Sequence, residues 1–87
     1  MPRLSSTATT LLTLLSNIND LIVQSSDREH ASDVMRSLRV YAKNNNFSLP
    51  QDKIENFFFV LLDAKPFTLT SIIKDIAEDI ALIDKNY

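Results

Sequence analysis

The chain contains no cysteine and no glycine. Without cysteine there is no disulfide and no thiolate metal site, and the single His30 cannot build a metal cluster alone, so neither metal nor cofactor is expected. The same absence fits a reducing compartment, and a cytoplasmic location is the expectation. Without glycine, hairpin turns and phosphate-cradling loops lose the residue that takes positive φ most readily. That argues against hairpin-rich folds, nucleotide loops and dinucleotide-binding fingerprints together. Strong positive charge is missing as well. Residues 1–47 carry five Lys/Arg against four Asp/Glu (+1), and residues 48–87 carry four against seven (−3), for a net −2. Neither half is basic enough to grip a phosphate backbone, so no nucleic-acid partner is expected. No stretch reaches the roughly 18 apolar residues of a membrane span. Ser and Thr interrupt the leucines that follow Arg3, and this segment reads as part of the fold, not as a signal peptide.

What the chain does contain is helical periodicity. Its 87 residues suffice for one domain, 1–87, which must rely on efficient packing because no staple is present. A first helix is expected over about 5–24, where Leu4, Ala8, Leu11, Leu15, Ile18 and Ile22 recur at spacings of four and three. Leu14 and Leu21 widen that seam into a stripe. Ser26 and Glu29 have capping-box spacing and introduce a second helix, about 27–44, with Ala31, Val34, Met35, Leu38, Tyr41 and Ala42 on one face. It ends at Asn44, Asn45 and Asn46, residues that tolerate left-handed conformations. Ser48 and Gln51 repeat the capping spacing with Pro50 in the first turn, so a third helix is expected over about 49–64. Lys65 and Pro66 break it. Thr68 reads as the cap of a fourth helix, about 69–84, with Phe67 and Ile72 as a hydrophobic staple and Leu69, Ile73, Ile76, Ile80 and Ile83 as its seam. Four amphipathic segments joined by short links predict an all-α fold, an antiparallel four-helix bundle.

Several features bear on function, each with a plain structural reading beside it. The run from Phe57 to Leu62 is the most informative. On a helix, Ile54, Phe57, Phe58, Leu61 and Leu62 share one face, while Phe59 projects roughly opposite among Asp52, Glu55, Asn56 and Asp63. Either the third helix is the most buried member and Phe59 lies under a loop or a crossing helix, or Phe59 and Val60 belong to a partner-binding patch. In the second case the candidate contact residues are Phe59, Val60, Asp63, Lys65 and Phe67. The polar face of the first helix is uncharged (Ser6, Thr9, Thr10, Thr13, Ser16, Asn17). It suits close approach of another helix or, alternatively, weak contact with loosely packed membranes. Arg36, Arg39 and Lys43 form a basic stripe that is either a solvated face supported by Glu29 and Asp33 or a patch for anionic lipid or an acidic partner. Asp75, Glu78 and Asp79 read as a solvated acidic face before a cation site, and His30 as an ordinary surface residue. No nucleophile–base–orienter set can be assembled from the spacing, so no enzymatic activity is expected.

Some of these segments also resemble a known family. Asn17-Ile18-Asn19-Asp20 within 14–21, Lys53-Ile54-Glu55-Asn56-Phe57, Lys65-Pro66-Phe67-Thr68 and the aliphatic helix over 72–83 are similar to the small immunity proteins that protect bacteria from their own pediocin-like bacteriocins, the enterocin A immunity type. The resemblance is one of layout and covers most of the chain. It implies an antiparallel four-helix bundle in the cytoplasm that confers tolerance by engaging a membrane sugar-transporter receptor together with the bacteriocin, with its contact surface in the C-terminal half. Two other readings stay open: an adaptor or inhibitor module binding a host protein through the third helix, phage- or plasmid-encoded variants included, and a peripheral membrane protein using the first helix.

Overall fold

The computed structural model describes residues 3–86, so residues 1, 2 and 87 of the expected 1–87 domain lie outside the described residues. The described residues form four helices and no strand: α1 (Ser6–Val23), α2 (Arg28–Asn44), α3 (Gln51–Val60) and α4 (Pro66–Lys85). α1 packs closely on α2 and on α4, α3 packs on α4, and no comparably close backbone approach joins α2 to α3. Cross-links fix the directions. The backbone N–H of Ser5 donates to Asp84 at 2.9 Å and the Thr70 hydroxyl to Asn19 at 3.0 Å, so α1 and α4 run antiparallel. Lys53 meets Asp79 at 2.8 Å across the α3–α4 seam. The architecture is an all-helical bundle.

Its core is the aliphatic periodicity made solid. Ala8, Leu11, Leu15, Ile18 and Ile22 of α1 are buried, as are Ala31, Met35, Leu38 and Ala42 of α2 and Leu69, Ile73, Ile76 and Ile80 of α4. From α3 come Ile54 and Phe57, with Leu61 just beyond its end. No polar or charged side chain is buried among the described residues, so no side chain of the interior has to be stripped of water without a partner. Each fully buried leucine, isoleucine or phenylalanine contributes about 1.5–3 kcal/mol, against the conformational entropy of ordering four short helices.

The helix ends differ from the expected ones in instructive ways. Ser5 caps α1, its hydroxyl accepting from the Ala8 amide at 3.1 Å. Ser26 does not cap α2. Asp27 does, accepting from the His30 amide at 3.0 Å, while Ser26 takes a left-handed turn (φ 51°) that reverses the chain after α1. Asp27 stands next to the first helical residue, the position from which a side chain reaches the free amides of the first turn. α2 ends as expected on the asparagines: Asn46 is left-handed (φ 56°), its amide donates to Lys43 at 3.2 Å, and the Phe47 amide donates to Ala42 at 2.9 Å. This is a Schellman closure, in which the residue after the left-handed one tucks back against the helix. Phe47 is accordingly buried, and Leu49 with it.

The expected capping box of Ser48 and Gln51 is not what starts α3: its N-cap residue is Pro50, which makes no side-chain cap bond. α3 is also short, ten residues ending at Val60 where continuation to about 64 was expected. The chain then turns over 61–64, with Ala64 donating to the Val60 carbonyl at 2.8 Å. Pro66 forces the extended conformation that Lys65 adopts (φ −69°, ψ 153°), which no helix can run through. The same proline occupies the first turn of α4, so α4 begins at Pro66, not after Thr68. Thr68 is an exposed residue inside the helix, and Phe67 is exposed, so it forms no staple with Ile72.

Candidate functional site

The early end of α3 decides what its apolar run does. Phe57 is fully buried, and the Phe58 ring meets it edge-on at 5.8 Å. Phe58 itself is half-buried beneath the guanidinium groups of Arg36 and Arg39, each 5.7 Å from its ring centre. Phe59, a further turn increment round the helix, is 86% exposed. No loop or crossing helix covers it, and α3 contributes fewer buried residues than any other helix, so the reading in which α3 is the most buried member is overturned.

Of the five candidate contact residues, Phe59 ends up in solvent near the end of α3, Asp63 in the turn, Lys65 at the start of α4 and Phe67 (82% exposed) one residue inside it. Val60 departs from the set: it is half-buried and packs against the core. Leu62 stands exposed in its place (78%), although helical continuation would have put it on the buried face. Once α3 stops at Val60, the turn rotates Leu62 outward while Leu61 stays inside. Two phenyl rings and one isobutyl group are thus exposed between residues 59 and 67, at the corner where α3 turns into α4. Single exposed apolar residues are ordinary, and three large ones in so short a stretch of chain are less so. The other exposed large apolar residues are Leu4 ahead of α1, Val23 at the end of α1, Val40 in α2 and Leu82 in α4.

The corner is held from below by a residue the sequence pattern did not single out. Arg28, the first residue of α2, donates through Nη1 to the carbonyl of Leu61 at 2.6 Å and to that of Ala64. These carbonyls lie past the end of α3, and a cation there satisfies acceptors left free by the helix end. The adjoining α3–α4 seam carries the Lys53–Asp79 pair, whose hydrogen bond holds the Lys53 ammonium above its ordinary 10.5, against partial desolvation and with added attraction from Asp79, Asp75 and Glu78. At the far end of α4, the hydroxyl (2.6 Å) and amide of Ser5 hold Asp84 below its ordinary 3.8.

Other expected features resolve as follows. The hydroxyl face of α1 lies mostly in solvent: Ser6, Thr9, Thr13, Ser16 and Asn17 are exposed and Thr10 is half-buried. Of the apolar stripe of α1, Ala8, Leu11, Leu15, Ile18 and Ile22 are inside the core, Leu14 and Leu21 are half-buried, and Leu4, ahead of the helix, is exposed. Among the described residues, no helix is long and apolar enough to cross a membrane, and no three His, Cys, Asp or Glu side chains converge as a metal site would require. Compared with family models, curated proteins and solved structures, the chain matches none of them.

Proposed function

We propose that this chain is a small non-enzymatic helical protein that acts by binding a protein partner through the α3–α4 corner. The observation that carries the reading is the exposure of Phe59, Leu62 and Phe67 within and beside one tight turn, while most of the apolar seams of the helices are buried in the core. Aromatic side chains with charged neighbours, here Asp63 and Lys65, have the composition of interface anchors ringed by polar groups. Arg28 and Pro66 fix the turn, so the anchors are presented with little conformational freedom left to lose on binding. Crosslinked affinity capture with the wild-type chain and with Phe59→Asp tests the reading. A partner retained by the first and lost by the second supports it. Equal capture of the same partner by a folded Phe59→Asp chain removes the corner from the interface.

A finer form of the same reading makes the chain a bacteriocin immunity protein that protects the producer cell from the cytoplasmic side, engaging a membrane transporter with its bacteriocin bound. It is favoured by the segment likeness and by the position of the exposed corner in the C-terminal half, where that likeness locates the contact surface. Expression in a bacteriocin-sensitive strain checks it: protection against at least one pediocin-like peptide, lost with Phe59→Asp, supports the immunity role. Unchanged sensitivity across a panel leaves the adaptor or host-protein inhibitor reading, with the same surface.

A further inference from the structure

A second surface lies at the opposite end of α3. The C-terminal half of α2, the 45–50 link and the start of α3 enclose an open groove of about 620 Å³. We propose that this groove docks an acidic segment of a partner protein that carries an apolar anchor residue.

Charge complementarity is the main ground. The groove is lined by Arg36, Arg39 and Lys43 and by no carboxylate, in a chain that is net negative. No Asp or Glu occurs between Asp33 and Asp52. Arg36 is partly engaged by Asp33 at 2.9 Å, whereas neither Arg39 nor Lys43 has a carboxylate within 4.0 Å among the described residues. Arg39 instead has its guanidinium 5.7 Å from the Phe58 ring centre, a contact that leaves its N–H donors available to a carboxylate. The apolar half of the ground is equally specific. Phe47 and Leu49 are buried beneath the groove by the Schellman closure, and Val40 stands on its wall 59% exposed. An aliphatic or aromatic side chain resting on Val40 with acidic neighbours reaching Arg39 and Lys43 satisfies both halves.

Other occupants fit less well. A bilayer presents a broad surface that cannot follow a concave groove, and three cations on a net-negative chain are too few for a nucleic acid. A second copy offers Asp75, Glu78 and the exposed Leu82 of α4. Groove-to-α4 docking is heterologous, however, and without ring closure it propagates into filaments.

Fluorescence anisotropy on the full chain tests the proposal. The probe is a short fluorescein-labelled peptide of glutamates and leucines at helical spacing, and the control replaces every glutamate with glutamine. The acidic peptide is expected to bind, more weakly as sodium chloride rises, and the control to bind poorly. Lys43→Glu and Val40→Asp each weaken binding by about fivefold or more, and Arg39→Gln does so without reversing a charge. Lys43 and Val40 are exposed, so circular dichroism should show these variants folded. Phe59→Asp leaves peptide binding unchanged, which separates this site from the α3–α4 corner. No binding of the acidic peptide, equal binding of the glutamine control, or indifference to all three groove variants overturns the proposal. So does a result in which Lys43→Glu abolishes binding to anionic phosphatidylglycerol vesicles, or self-association in sedimentation, with no effect on the peptide.

Discussion

Phe57 and Phe59 stand two positions apart on the same short helix and meet opposite surroundings, one sealed in the core and one in water. Phe57→Ala should therefore cost about 3–5 kcal/mol of stability in urea denaturation, the range for deleting a core phenyl group, while Phe59→Ala should change it by about 0.5 kcal/mol or less. Arg28 carries an effect of the first kind from a partly exposed position. Removing its charged hydrogen bonds to two carbonyls with Arg28→Ala should cost about 1.5–3 kcal/mol and loosen the 61–64 turn, measurable as faster amide exchange there. At Asp84 the depressed folded pKa means that its interaction with Ser5 stabilises the fold above the ordinary 3.8 and is lost as pH falls through the lower folded value. The stability difference between wild type and Asp84→Asn should accordingly vanish in acid. Lys53 has the opposite sign: its contribution is complete below 10.5 and disappears only as pH rises through the higher folded value.

Among the elements, α1 and α4 were legible from their four-and-three spacing because each buries one continuous stripe, and almost all of that stripe is in the core. The ends were less legible. Capping-box spacing occurs wherever Ser or Thr precedes Glu or Gln, and nothing local distinguishes Ser26, which takes the left-handed turn, from Asp27, which caps. Pro66 has the sequence signature of a breaker, yet a proline that ends one helix can begin the next. Asp27→Ala should therefore cost about 1 kcal/mol, and Thr68→Ala only a few tenths, in the same denaturation assay. Phe47 and Leu49 escaped the periodic reading because they lie in a link, and their burial follows from the Schellman closure at Asn46. Arg28 escaped it because its acceptors lie 33 and 36 residues away. The candidate corner was half legible. Phe59 could be named from its polar neighbours, whereas the pattern made Phe67 a staple and Leu62 part of the buried face, because their exposure depends on where α3 stops and α4 starts.

For the molecule as a whole, an interior in which no polar or charged side chain is buried among the described residues leaves specificity of assembly to shape, caps and the few cross-links between helices. The surface is correspondingly uneven: exposed large apolar groups lie at one end of α3, and at the other lie cations over an apolar floor, of which Arg39 and Lys43 have no carboxylate partner among the described residues. Ten residues of α helix separate the two, about 15 Å, so one partner could span both. The claim on which the rest depends is that the corner residues contribute to binding and not to folding. Equilibrium urea denaturation of the triple variant Phe59→Ser, Leu62→Ser, Phe67→Ser tests it most directly. The expected result is a midpoint and slope close to wild type, within about 0.5 kcal/mol per site. A loss of about 3 kcal/mol or more, of the size that core side chains cost, would show that these residues hold the bundle together, and would contradict the account.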